Sequence, residues 1–335
     1  MKNNIRVALL LGGTSPEREV SIDTAHSVYE ALKKLNYRTI LIDPAYGKNQ
    51  PQQDSEFFSK KPLKNISNKN YIDTFNSALF DDIDIVFIAL HGRWGEDGTV
   101  QSLLELRNIR YTGSGIVSSA LSMDKIMSKI IFEKYGVPTP PWFSVIKSKS
   151  VPAEISKRIS DSFGFPCVVK PNDQGSTVGL TVCNLPEQLE DALQTAFGFS
   201  ELVVVEKYIA GRELTVGILN DHAFPPLEIR PKSGLYDYES KYTSGKSEYE
   251  VPAKIPDNIT SLLQRLSLVA FNSLRCRTYA RVDFRLSENN EPFCLEVNTL
   301  PGMTSTSLVP KMAKAEGISF EELIDRIIKL SLKDA

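Results

Sequence analysis

Two runs of the chain, residues 5–11 and 83–90, are apolar without alternation, which predicts strands buried on both faces. Each run stops at a polar, glycine-containing stretch, GGTSPEREVS after the first and HGRWGEDG after the second. A helix is predicted to follow the first stretch as far as residue 35. Strand, glycine turn and helix in this order predict an open parallel sheet with a ligand site beyond the carboxyl ends of its strands. Residues 44–76, rich in Asn, Gln, Lys and Ser, show no sustained hydrophobic period and read as a surface excursion. The stretch SALSMDKIMSK, which carries Lys125, is helical in pattern. Residues 167–170 and 178–183 read as two strands joined by PNDQGST, and residues 202–205 as a buried strand ending in EKYI. Between them, residues 186–197 place Leu189, Ala192, Leu193, Ala196 and Phe197 on one side of an amphipathic helix. Residues 230–254 have neither period and read as a lid over a site. Ser319 and Glu322 form an S-x-x-E capping box before a closing helix with Leu323, Ile324, Ile327 and Ile328 on its apolar side.

The alternation is clearest in residues 279–286 and 292–298. Ala280, Val282, Phe284 and Leu286 face one way, and Tyr279, Arg281, Asp283 and Arg285 the other. The second strand sets Phe293, Leu295 and Val297 against Cys294, Glu296 and Asn298. With Asn289 and Asn290 as a two-residue loop, Asp283 lies opposite Glu296 and Arg281 opposite Asn298. Two facing carboxylates, with Cβ atoms roughly 5 Å apart, repel unless a positive charge lies between them. A divalent cation supplies it in one reading, with Asn298 adding a neutral oxygen. In the other, the face is solvated and Arg281 and Arg285 are the counter-charges. NTLPGMTSTS follows at once and offers hydroxyls and the Gly302 N–H.

Composition narrows the classes. A chain of 335 residues suits two or three domains, and 39 Lys and Arg against 41 Asp and Glu give no electrostatic reason to expect nucleic acid or an anionic membrane as partner. Cys167, Cys183, Cys276 and Cys294 form no C-x-x-C pair and read as reduced core thiols. No stretch approaches the ~20 apolar residues of a membrane span, so a soluble cytoplasmic enzyme of small molecules is expected. The dinucleotide fingerprint fails, because Gly113 and Gly115 are followed by Ser118. A phosphate-loop motif fails too, because Ser240 stands where the first glycine belongs. The 167–183 hairpin can fold over phosphates, with Gly175 admitting backbone N–H groups and Lys170 supplying charge, or it can be a plain hairpin loop.

EVNTLPGMTSTSLVP, VVKPNDQGSTVG, EREVS, HGRWGEDG, GRELTVGIL and YDYESKY occur together in this chain, and in this combination they resemble the D-alanine–D-alanine ligases of the ATP-grasp superfamily. The resemblance covers most of the chain, with residues 44–76 departing from it. It implies an α/β and α+β architecture: an ATP-grasp fold with an N-terminal open parallel-sheet domain, divided as 1–113, 114–205 and 206–335, the ATP-grasp module being about 114–331. It implies ATP-dependent joining of two D-alanine molecules through an acyl phosphate for peptidoglycan precursors, in a homodimer using Mg²⁺ or Mn²⁺, two ions in all. Glu17 would hold the substrate ammonium and His91 would line the first amino-acid site. Lys125, Lys170, Lys207 and Lys241 would contact the nucleotide, Glu206 and Ile209 the adenine, and Glu213 the ribose. Ser176 and Tyr242 would join Glu17 in closing the site. Arg281 and the Gly302 N–H are the candidates for stabilising an oxyanion, with Ser307 beside them, and Asp283, Glu296 and Asn298 would hold metal. The alternatives are a D-alanine–D-lactate or other ATP-grasp carboxylate ligase, and a nucleotide-binding regulatory module without catalysis. The last predicts missing ligands, whereas Lys170, Arg281, Asp283, Glu296 and Asn298 are all present.

Overall fold

The computed structural model describes residues 4–62, 64–231 and 246–333, and builds them around three sheets. The first is parallel, in the order β2 (Arg38–Ile42), β1 (Arg6–Leu10), β3 (Ile85–Ile88). The apolar residues of β1 after Arg6, and all of β3, are buried on both faces as expected. Strand β2 was not anticipated: RTILI is short, and its first residue is exposed. The helix Arg18–Lys34 ends one residue short of the expected boundary, with Leu35 as its cap. The C-terminal helix, Phe320–Lys333, packs against it and against β3, where Tyr37 Oη donates to Asp325 Oδ1 at 2.7 Å. Leu323, Ile324, Ile327 and Ile328 are fully buried there. Of the expected capping box the forward half forms, Glu322 N to Ser319 Oγ at 3.1 Å, while the Glu322 carboxylate pairs with Arg326 at 2.6 Å.

The second sheet is antiparallel, in the order β4 (Trp142–Ile146), β7 (Leu202–Lys207), β5 (Cys167–Pro171), β6 (Thr181–Cys183). Leu189, Ala192, Leu193, Ala196 and Phe197 are buried against it, as their spacing predicts. Strand β6 starts at Thr181, so Val178 and its neighbours belong to the loop. The third sheet is also antiparallel: β11 (Ser247–Glu250), β10 (Leu227–Pro231), β8 (Arg212–Leu219), β12 (Tyr279–Leu286), β13 (Pro292–Asn298), with β9 (His222–Ala223) beside β8. The helix Asp257–Ser273 covers one face of this sheet through Leu263, Leu266 and Ala270.

Four expectations change. Residues 44–76 are not merely a surface excursion, because Tyr46, Phe57, Tyr71 and Phe75 are buried, the last three in the core of the first sheet. SALSMDKIMSK forms two helices, Ile116–Met123 and Lys125–Lys134, broken where Asp124 takes an extended ψ of 100° and its carboxylate caps Met127 N at 2.9 Å. The ends of the 230–254 segment are strands, with Arg230 facing Glu248 and Ile229 facing Tyr249. Finally, the 279–298 hairpin closes through a three-residue loop, in which Ser287 N donates to Glu291 O at 2.9 Å and Asn290 takes a φ of 60°. The turn shifts pairing by one residue, so Phe284 faces Cys294. An extra residue, Leu295, restores the register, and Asp283 then faces Glu296 and Arg281 faces Asn298. This bulge breaks the expected alternation: Cys294 enters the core, while Leu295 and Glu296 both turn to the opposite face.

Candidate active site

At the end of β1 the chain turns through Gly12 and Gly13, with φ of 76° and 77°. A Cβ on Gly12 would collide with the Asp43 carboxylate, so the tight approach requires glycine. Asp43 lies at the end of the unanticipated β2. Its buried carboxylate accepts from Gly13 N at 3.0 Å and pairs with Arg18 at 2.6 Å, and Arg18 Nη1 donates to Gly13 O at 2.6 Å. This network fixes the turn from which Glu17 projects. His91, beyond β3, is 6% exposed; Nε2 lies 3.0 Å from Thr24 Oγ1 and Nδ1 3.2 Å from Glu96 Oε1.

The loop between β5 and β6 reaches this sheet edge, where Ser176 Oγ donates to Glu17 Oε1. Its left-handed backbone falls on Ser176, Thr177 and Gly179, with φ of 51°, 64° and 71°, and not on Gly175. Non-glycine residues hold such angles only where their surroundings impose them. Asn172 fastens the base of the loop to the helix Lys125–Lys134, its Oδ1 accepting from Ile126 N at 2.9 Å, and Lys125 Nζ donates to Gln174 O at 2.7 Å. The break at Asp124 therefore starts a helix whose first turn holds the loop.

Two cavities adjoin here. One, of about 430 Å³, is lined by Glu17, His91, Arg281, Asn298, Gly302 and Ser307. The other, of about 130 Å³, is lined by Lys170, Glu206, Lys207, Ile209, Glu213 and Asp283. Lys125, Gly175, Ser176 and Glu296 line both. Asp283 receives a fork from Arg281, Nε to Oδ1 and Nη2 to Oδ2, both at 2.8 Å, and a hydrogen bond from Thr215 Oγ1 at 2.6 Å. Lys125 Nζ lies 3.5 Å from Glu296 Oε2. Arg285, one of the two expected counter-charges, turns away and donates to the carbonyls of Ile209 and Gly211 at 3.1 and 2.9 Å, beside Glu213 at 3.5 Å. Thus it shapes the wall that Ile209 gives the smaller cavity. Ser307 Oγ accepts from Thr304 N at 3.0 Å, and Asn298 Oδ1 from Leu300 N at 3.0 Å.

Glu206 lines the smaller cavity, but its carboxylate is already engaged. Its carboxylate is gripped by Lys170 at 2.6 Å and by Lys129 at 2.7 Å. Burial works to raise its pKa, but the two ammonium groups outweigh burial and bring it down to about 2. Burial lowers the pKa of Lys125, against the pull of Glu296. Because the Glu206 pKa is depressed on folding, its ionic stabilisation is complete above the ordinary value of 4.5 and is lost as pH falls towards 2. Acid unfolding of the protein and of Glu206→Gln should therefore diverge in slope across that window. Parallel curves would mean that the grip contributes nothing.

Sequence reasoning missed Lys129, although its i,i+4 spacing from Lys125 puts both on one helix face. It also missed Lys60 and Tyr249, which line the larger cavity from segments assigned to the surface and to the lid. Lys241 and Tyr242 lie outside the described residues. Asp283, Glu296 and Asn298 offer two carboxylates and an amide oxygen around the junction. Among the described residues, no three His, Cys, Asp or Glu side chains cluster as a metal cage. This donor set fits Mg²⁺, which binds through one or two carboxylates and completes its shell with phosphate and water.

The family model described as D-ala D-ala ligase N-terminus matches residues 6–114, and that described as D-ala D-ala ligase C-terminus matches residues 131–329. The chain belongs to the D-alanine–D-alanine ligase family. It is 40% identical to a D-alanine–D-alanine ligase of Pelotomaculum thermopropionicum, covering 98% of both chains, and 41% identical to one of Desulforamulus reducens, covering 98% of this chain and 99% of that one. Among solved structures of this ligase family, it superposes on the Bacillus anthracis D-alanine–D-alanine ligase complexed with ATP with a TM-score of 0.79, 33% identity and 98% coverage of both chains. It also superposes on the VanG D-Ala:D-Ser ligase of Enterococcus faecalis with a TM-score of 0.82 and 28% identity, over 98% of this chain and 100% of that one. The ATP-grasp architecture with an N-terminal parallel sheet is thereby established for this chain.

Proposed function

We infer that the protein joins two D-alanine molecules, with ATP as the energy source, to make the D-alanyl-D-alanine used in peptidoglycan precursors. The observation that carries this is the junction of the two cavities at Lys125, Gly175, Ser176 and Glu296. A carboxylate is a poor electrophile, so ligation needs the γ-phosphoryl of ATP delivered to it at one meeting point. In this reading the smaller cavity takes ATP, with Ile209 against the adenine, Glu213 at the ribose and Lys170, Lys207 and Lys125 near the phosphates. The larger cavity takes the amino acids, with Glu17 holding the first ammonium and His91 the wall beside it. Mg²⁺ held by Asp283, Glu296 and Asn298 would neutralise charge on the transferring phosphoryl group. Arg281 and the Gly302 N–H, with Ser307 adjacent, stabilise the oxyanion formed when the second amine attacks the acyl phosphate. The Ser176–Glu17 hydrogen bond ties the glycine loop to the edge of the first sheet. The division 1–113, 114–205 and 206–335, a homodimer and a cytoplasmic location belong to the same reading. No helix among the described residues is long and apolar enough to cross a membrane.

The D-Ala:D-Ser ligase among the structural neighbours makes the second substrate the point to test. D-alanine, D-serine and D-lactate should be competed as second substrates at pH 6 and pH 8, scoring product mass. The expected product at both pH values is D-alanyl-D-alanine, since no histidine occurs in residues 230–254 to repel an ammonium at low pH. A predominant ester or D-alanyl-D-serine would overturn the assignment.

A further inference from the structure

Lys129 is fully buried, yet it stands directly behind the smaller cavity without lining it. Its ammonium lies 2.7 Å from Glu206 Oε2 and donates to Thr139 Oγ1 at 2.6 Å, with the Trp142 ring 5.9 Å away. Thr139 in turn donates to the carbonyl of Cys294 at 2.9 Å, the residue next to the bulge at Leu295. On the other side of Glu206, Lys170 reaches Oε1 at 2.6 Å and does line the cavity.

Charge counting gives this arrangement a purpose beyond packing. One carboxylate between two ammonium groups neutralises one of them, and the excess positive charge is carried towards the cavity by Lys170. If Lys170 turned to an incoming phosphate with no second cation present, Glu206 would remain as a buried, unpaired carboxylate, which is strongly unfavourable. We infer that Lys129 is a positioning residue for polyphosphate binding: it holds Glu206 ionised and in place, so that Lys170 can exchange its carboxylate partner for a nucleotide phosphate. The inference rests on the smaller cavity being the ATP site. Lys129 itself, shielded by Glu206 and Trp142, touches no nucleotide.

The test uses the full-length protein, with kcat and KM for ATP measured by D-alanine-dependent phosphate release, ADP affinity by calorimetry, and melting temperature. Lys129→Met should raise KM for ATP and the Kd for ADP about tenfold or more, while kcat at saturating ATP stays within about threefold. In a Glu206→Gln background there is no carboxylate charge to hold, so adding Lys129→Met should change KM by less than about threefold. An unchanged KM in the single variant, or an equal rise in both backgrounds, would overturn the inference and leave Lys129 a structural staple. Should Lys129→Met fail to fold, the comparison within the Glu206→Gln background decides alone. There both side chains are uncharged, and a tenfold rise, at about one decade per 1.4 kcal/mol, would refute the inference. Absence of ATP-dependent ligation by the unaltered protein would instead refute the assignment of the cavity.

Discussion

Replacing Glu296 by Gln is expected to lower D-alanine-dependent phosphate release about a thousandfold or more, because a metal clamp on a transferring phosphoryl group contributes several kcal/mol. Glu296 faces Asp283 across the hairpin and lines both cavities. Its neighbour Lys125 is monovalent, lies 3.5 Å away and is already donating to Gln174 O. It therefore cannot bridge the facing carboxylates as a divalent ion would. Gln keeps the size of the side chain and one oxygen at this half-buried position, so melting temperature should change little. Near-normal turnover at ordinary Mg²⁺ would remove the metal from this hairpin.

The second large effect is expected at Arg281. Conversion to Lys should reduce kcat about a hundredfold, the usual scale for losing a fixed donor to a developing oxyanion. Arg281 grips Asp283 with two parallel hydrogen bonds, a planar fork that a lysine does not reproduce. The same substitution therefore loosens Asp283 and the donor together. Raising Mg²⁺ separates the two contributions: recovery of most activity would assign the loss to Asp283, and no recovery would assign it to the oxyanion. Activity within about threefold of the parent at ordinary Mg²⁺ would exclude Arg281 from either role.

The facing of Asp283 and Glu296 was legible in the sequence, but for an incomplete reason. Alternation gave the strands, whereas the pairing results from a three-residue loop compensated by the bulge at Leu295, and neither irregularity leaves a clear mark in a period-two pattern. Glu17 and His91 could be singled out as candidates because they follow buried strands, where open sheets expose their ligand edge, and Lys170 because it stands at the base of a glycine-containing hairpin loop that can fold over phosphates. Lys129 was missed because a lysine on a helix surface ordinarily points to water, and only the tertiary placement of Glu206 makes its burial tolerable. The break at Asp124 was missed because Asp in a helical pattern resembles an interior polar position as closely as a cap. Strand β2 and the buried aromatic side chains of residues 44–76 went unread because a short strand and scattered aromatics produce no period long enough to recognise.

Strand β13, which carries Glu296, closes one end of its sheet among the described residues, and an end strand exposes a backbone edge on which another chain could add. Here the run VPTPPW passes along that edge. Pro138 O accepts from Cys294 N at 2.7 Å, and Thr139 covers the Cys294 carbonyl. Pro138, Pro140 and Pro141 have no amide hydrogens with which to recruit a further strand, so the segment satisfies the edge without extending the ladder. The hairpin that carries Asp283 and Glu296 is thus covered at Cys294 against templating β-aggregation. A substitution that detached this proline run would be felt as poor recovery from concentrated or refolding solutions.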